Sequence, residues 1–64
     1  MSKTKRAWIV DTRMNKFVRK SGVVFQYELV PTEASGFTDV HEARRVLYRA
    51  RKALHTDKLR VITF

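Results

Sequence analysis

The first half of the chain alternates apolar residues, many of them β-branched or aromatic, with polar ones, a pattern typical of β-strands. Residues 7–13 (AWIVDTR) and 16–20 (KFVRK) both show it. Between them stands Asn15, a residue type that tolerates the left-handed backbone of a tight turn. The two segments therefore predict a first β-hairpin.

A third strand is predicted over residues 23–30 (VVFQYELV), directly after the turn signal Ser21-Gly22. Its polar residues Gln26 and Glu28 would share one face of the strand. The opposite face would carry the apolar residues Val23, Phe25, Tyr27 and Leu29. Because proline cannot continue a central strand, residues 31–36 (PTEASG) are predicted to form a surface loop.

A helix is predicted to begin near Thr38-Asp39. Asp39 and Glu42 make a capping-box pattern, and both acids lie at the positive end of the helix dipole. The apolar residues that follow recur at three- and four-residue spacing, so they form one stripe that packs on the sheet. This stripe consists of Val40, Ala43, Val46, Leu47, Ala50, Ala53 and Leu54.

The closing residues 58–64 (KLRVITF) predict a last strand, which a right-handed crossover through the helix could set parallel beside the first. The predicted fold is α+β: a three- to four-stranded, mainly antiparallel sheet with one helix packed on one face, in the order βββαβ. At 64 residues the chain is predicted to be a single small domain, with residues 1–6 as a flexible basic tail.

The sequence offers little for catalysis. It has no Cys, which removes thiolate chemistry and fits an intracellular protein. His41 and His55 are about 21 Å apart along the predicted helix, so they cannot share a metal ion. No Gly-rich phosphate loop is present, and no Ser stands beside a His base. We expect a non-enzymatic protein without cofactor or metal, although small messenger-cleaving toxins, which work with Arg, Lys and Tyr, keep an enzyme as an alternative.

Net charge is the strongest compositional signal. The chain carries +8, and residues 1–20 hold seven Lys or Arg against Asp11 alone (+6). Residues 21–38 carry −2, residues 39–55 carry +3 and residues 56–64 carry +1. Such a field attracts polyanions, namely nucleic acid, anionic lipid or an acidic protein. The apolar run at residues 7–10 is too short for a signal-peptide core or a membrane span, so we expect a soluble, cytoplasmic protein without membrane contact.

Two basic surfaces are predicted, one on the helix and one on the exposed face of the sheet, where some of Arg13, Lys16, Arg19 and Lys20 must lie. At about 100° per residue, the helix positions opposite the apolar stripe surround an exposed tyrosine with cations. These are Arg44, Arg45, Tyr48, Arg49, Arg51 and Lys52. The helix face is either a solvated surface or a binding surface. Like charges at the i, i+4 spacing, as at Arg45 and Arg49, repel one another and favour an external anion.

The segment "GFTDVHEARRVLYRA" (residues 36–50) resembles the helix signature of three-stranded-sheet-plus-helix DNA-binding domains. These are the ethylene-response type of plants and the arm-binding domains of phage and transposon integrases. The matching positions are Trp8, Gly36, Phe37, Glu42, Ala43 and Ala50. In that family the sheet enters the major groove, so the resemblance implies base or phosphate contacts by Trp8, Arg13, Lys16 and Arg19.

The whole chain is also similar to small, basic early proteins of tailed bacteriophages, with a W-V-I, K-F/Y, F-T, E-A and V-I pattern along its length. That resemblance implies a bacterial host cell, and some similar-sized phage proteins inhibit host enzymes such as RNA polymerase. We therefore expect a binding protein that contacts DNA or RNA through its basic helix or sheet face. The alternative is a host-takeover protein that binds an acidic host protein. The sequence leaves the oligomeric state open.

Overall fold

The computed structural model of the chain describes residues 5–63. Its strands form one antiparallel sheet in the order β3-β2-β1-β4, and the helix packs on one face. The predicted α+β fold with the order βββαβ is confirmed. The elements are β1 (Ala7–Asp11), β2 (Lys16–Ser21), β3 (Val24–Glu28), α1 (Val40–Leu54) and β4 (Leu59–Thr63).

The orientation of β4 differs from the prediction. β4 lies beside β1 as expected, but the two strands are antiparallel, with Asp11 opposite Leu59 and Ala7 opposite Thr63. The reason is the loop after β3, which carries the chain to Phe37, beside Ala7 at the opposite end of the sheet. The helix then starts at the Ala7 end and returns the chain to the Asp11 end. β4 therefore begins where β1 finishes and runs back along it.

Two local turn signals set the hairpins. Asn15 has φ 58° at the end of the β1–β2 turn, as its sequence position predicts. Gly22 has φ 62° and begins the two-residue turn between β2 and β3. Val23 occupies that turn and residues 29 and 30 lie beyond β3, so the third strand is shorter at both ends than the predicted span 23–30.

The hydrophobic core lies between α1 and one face of the sheet. Ile9, Val18 and Leu59 supply the fully buried branched side chains on the sheet side. On the helix, Ala43, Val46, Leu47 and Ala50 are buried, while Val40 and Leu54 pack against the core from its margin. Ala53, which the periodicity predicts in the same stripe, is exposed. It lies at the edge of the stripe, where a single methyl group is too short to reach the sheet.

Both ends of α1 are capped. Asp39 is the N-cap, and its carboxylate accepts a hydrogen bond of 2.9 Å from the N–H of His41. In a full capping box this bond comes from the N–H one position further on, that of Glu42. At the other end His55 adopts a left-handed conformation (φ 52°), and its N–H donates to the carbonyl of Arg51.

The loop before α1 crosses the open face of the sheet, which we define as the face away from the helix. Trp8 is the buried anchor of this crossing, because its Nε1–H donates to the carbonyl of Thr32 at 2.9 Å. A Cβ on Gly36 would lie 2.9 Å from the Trp8 ring. Only glycine lets the loop pass this closely.

The basic tail predicted for residues 1–6 falls partly outside the described residues, which begin at Lys5. Within the described part, the N–H of Arg6 donates to the carbonyl of Phe37 at 2.9 Å. Lys5 lies close to Gly36, because a Cβ added to Gly36 would be 2.7 Å from the Cβ of Lys5. Residues 5 and 6 therefore contact residues 36 and 37, the last part of the loop before α1.

Candidate nucleic-acid interface

The outer helix face is the exposed side of α1 formed by Arg44, Arg45, Tyr48, Arg49 and Lys52. All five side chains are exposed, and Tyr48 exposes 64% of its surface. Their position follows from the burial of the opposite stripe in the core, since 3.6 residues per turn places them on the far side. The predicted exposure of these five residues is thus confirmed.

Within the described chain, the cations of the outer helix face have no acidic partner. The ion pairs found among residues 5–63 are Arg13–Asp11 and Arg19–Glu28, both 3.3 Å, and Lys58–Asp57 at 4.0 Å. None of them involves α1, whose one internal acid is Glu42 in the first turn. Uncompensated positive charge at three- and four-residue spacing raises the free energy of the isolated helix and favours the approach of an anion.

Arg51 differs from its neighbours because it is half-buried. Its Nη2 donates to the carbonyl of Leu59 at 3.5 Å, and its Cζ lies 5.9 Å from the centroid of the Tyr48 ring. This distance is within the range of a cation–π contact. Arg51 was predicted to be a contact residue with the rest of the helix cations. The structure places it at the margin of the outer helix face, where it contacts both Tyr48 and the first residue of β4, Leu59.

Arg13 lies at the β1–β2 turn and is engaged with the buried carboxylate of Asp11. That carboxylate accepts hydrogen bonds from the N–H groups of Arg13 and Met14, the Arg13 guanidinium and, at 2.9 Å, the Tyr27 hydroxyl. Burial alone would raise the pKa of Asp11, but these four hydrogen bonds outweigh it and lower the pKa. Burial and the bond to Asp11 raise the pKa of Tyr27.

Arg19 lies on the open face and is also engaged. Its Nη1 donates to Glu28, and the other carboxylate oxygen of Glu28 accepts from the Thr32 hydroxyl at 3.0 Å. Burial raises the pKa of Glu28, but hydrogen bonds from Thr32, Ser35 and Arg19 lower it overall. This network ties the loop over the open face to β2 and β3.

The four residues nominated from the DNA-binding resemblance do not share one face. Trp8 and Arg19 lie on the open face, where Trp8 is buried under the loop. Lys16 lies opposite Asp11 in the β1–β2 register, on the side of the sheet that faces the helix. Arg13 lies in the turn between β1 and β2. The structure therefore does not assemble a basic surface from Trp8, Arg13, Lys16 and Arg19.

Other exposed residues near these surfaces were missed as candidates. His41 lies on the same arc of α1 as Tyr48 and Lys52, a position that the 100° periodicity already indicates. Arg60 is exposed on the open face opposite Val10, as strand alternation over residues 58–64 indicates. The Asp11–Tyr27 contact had no signal in the sequence, because it joins residues of different strands.

Comparison with protein-family models, with curated proteins and with solved structures finds no match to this chain. Among residues 5–63, no helix has the length and apolar character needed to cross a membrane.

Proposed function

We propose that this protein binds nucleic acid through the outer helix face. The observation that supports the proposal is a group of four exposed cations that form no ion pair among residues 5–63, Arg44, Arg45, Arg49 and Lys52, around an exposed tyrosine. Arg13 in the turn and Arg19 on the open face already have acidic partners, whereas Arg60 is exposed on the open face without an ion pair among residues 5–63. The helix is therefore the surface on which several such cations lie together.

The four cations would contact phosphates, while Tyr48 would stack on an unpaired base. Phosphate contacts supply affinity without reading sequence, and aromatic stacking works with any base. Arg44 and Lys52 are about 12 Å apart along the helix axis, so the surface spans a short stretch of backbone. Arg51 adds positive charge beside the stacking position, because its guanidinium carbon lies 5.9 Å from the centroid of the Tyr48 ring. An unpaired base implies a single-stranded segment of DNA or RNA.

Binding to nucleic acid is expected to weaken steeply with salt. Four neutralised phosphates predict a slope of roughly −3 to −4 in a plot of log association constant against log salt concentration. Fluorescence anisotropy of a labelled oligonucleotide, single-stranded or duplex, titrated with the protein at several salt concentrations measures this slope.

A slope near zero, or no binding at low salt, would contradict the proposal. Capture of partners from bacterial lysate, with and without nuclease, tests the alternative partner class. A specific protein that stays bound after nuclease treatment would support an acidic host protein as the target instead. Loss of all captured material on nuclease treatment supports nucleic acid.

Replacing Tyr48 with Ala is expected to lower nucleic-acid affinity about ten-fold or more, since base–aromatic stacking contributes roughly 1–3 kcal/mol. The melting temperature should change little, because the ring is exposed and Ala is a better helix former. The matched control is Tyr48→Phe, which keeps the ring and should keep most of the affinity. Unchanged affinity in the Ala variant would remove Tyr48 from the interface.

A further inference from the structure

β3 is an edge strand, and the chain exposes apolar residues along it. Four of the six large hydrophobic residues that are exposed among residues 5–63 lie in or beside this strand, with exposed fractions up to 93%. They are Val23, Val24, Leu29 and Val30. An exposed apolar edge strand is a template for pairing with another strand, and soluble proteins commonly protect such edges with charge.

Charge does not protect this edge. Residues 21–38 contain no Lys or Arg, and their acids are Glu28 and Glu33. Glu28 is neutralised by Arg19. The other edge strand, β4, carries the exposed residues Lys58 and Arg60 at or near its start. Of the two edge strands of the sheet, β3 is therefore the one that presents less positive charge to a second copy of this chain of charge +8.

The register of the β2–β3 hairpin determines which backbone groups are available. Ser21 and Val24 flank the two-residue turn, so they form a hydrogen-bonded pair, and the even-numbered residues of β3 bond to β2. The N–H and C=O groups of Phe25 and Tyr27 point outward. Two copies of β3 can then pair antiparallel with Gln26 opposite Gln26 of the second copy.

This register is self-complementary. It sets Phe25 opposite Tyr27 of the second copy and brings Val23 to Leu29 of the second copy, twice over through the two-fold axis. Phe25 and Tyr27 are only half-buried in the single chain, and Val23 and Leu29 are exposed. Pairing in this register would therefore cover apolar side chains that the single chain leaves half-buried or exposed.

We propose that the protein forms a symmetric dimer by antiparallel pairing of β3 with β3 of a second copy. The two four-stranded sheets then make one sheet of eight strands. A two-fold axis perpendicular to the sheet keeps both α1 helices on the same side of it. The inference stands on the edge strand and its charge, and it does not depend on the ligand of the outer helix face.

Cysteine cross-linking tests the register. The native chain has no Cys, so Gln26→Cys introduces one thiol per copy. Cα atoms of a non-hydrogen-bonded antiparallel pair are about 4.5 Å apart, within the range that a disulfide spans. Gln26→Cys should form a disulfide-linked dimer under mild oxidation. The control Val24→Cys, on the same face of the strand, should cross-link at least about ten-fold more slowly, because its opposite residue is Glu28.

Sedimentation velocity tests the dimer without a cross-link. The wild-type protein should approach twice its mass of 7.6 kDa as concentration rises, and added salt should favour the dimer by screening the like charges. The variant Val23→Lys with Leu29→Lys should remain monomeric. Met14→Lys, which places a lysine at an exposed apolar position in the β1–β2 turn, should dimerise like the wild type.

Three results would overturn the inference. The first is a wild-type protein that stays monomeric at every concentration and salt level. The second is a dimer that the two lysines leave intact, because its interface then lies elsewhere. The third is growth into species larger than a dimer, which would indicate pairing of β3 with β4 of the next copy in an open array.

Discussion

Replacing Asp11 with Ala is expected to lower the free energy of unfolding by roughly 2–4 kcal/mol, because it removes a buried carboxylate together with the four hydrogen bonds that this carboxylate accepts. The Asp11 side chain is fully buried and accepts hydrogen bonds from two backbone N–H groups, the Arg13 guanidinium and the Tyr27 hydroxyl. Urea unfolding at neutral pH, followed by circular dichroism, measures the loss.

The matched control is Tyr27→Phe, which removes one of the four hydrogen bonds and keeps the ring, so it should cost about 1 kcal/mol. A loss in Asp11→Ala no larger than that of Tyr27→Phe would mean that the carboxylate does not organise the turn.

The effect of Asp11 should depend on pH. The folded-state pKa of Asp11 is lowered, so its contribution is fully present above the unfolded pKa of about 3.9 and is lost as the pH falls through the folded value. The difference in stability between the wild type and Asp11→Ala should therefore shrink on acidification. Glu28, whose pKa is also lowered, stays in both proteins and contributes equally to both curves.

The fold was predictable where its signals are local. Asn15 and Gly22 mark the two turns that set the first three strands, and the apolar stripe of α1 identifies the helix and its buried side. The predicted direction of β4 was wrong, because this direction depends on the end of the sheet to which the long connection after β3 brings the chain. That path is set by contacts between distant residues, such as the Trp8 indole with the Thr32 carbonyl. Nothing in the spacing of the strands reports it.

The candidate site divides in the same way. Exposure of Tyr48 and its neighbours follows from helical periodicity and was predicted. The engagement of Arg13 with Asp11 depends on the turn, and that of Arg19 with Glu28 depends on the β2–β3 register. Arg51 lies at the margin of the outer helix face, where contact with β4 determines whether a side chain is exposed to solvent. The sequence shows where the basic residues lie along the chain, whereas the fold shows which of them already form ion pairs with acidic residues.

Reversing Arg44, Arg45 and Lys52 to Glu is expected to reduce nucleic-acid affinity by at least about 100-fold, because it replaces three phosphate contacts with three repulsions. The fold should survive, since all three side chains are exposed and form no ion pair within the described residues. The change Arg45→Glu also places a carboxylate at the favourable i, i+4 spacing from Arg49. Thermal melting and anisotropy on the same preparations separate folding from binding.

The control for this variant must change net charge equally and leave intact the two 3.3 Å ion pairs, Arg13–Asp11 and Arg19–Glu28. Reversing Arg13 and Arg19 is unsuitable, because it would place two acids beside Asp11 and Glu28. Lys20, Lys58 and Arg60 are exposed cations away from α1, and reversing all three also changes the net charge by six. Lys58 has only a weak, exposed contact of 4.0 Å with Asp57.

The decisive measurement is an anisotropy titration of one single-stranded oligonucleotide with these two variants and the wild type, at low salt. If the outer helix face is the binding surface, the helix variant loses binding, while the Lys20, Lys58 and Arg60 variant keeps affinity within about ten-fold of the wild type. Equal losses in the two variants would mean that net charge alone drives binding. A loss confined to the control variant would place the binding surface on the sheet and its edges, and would contradict binding through the helix.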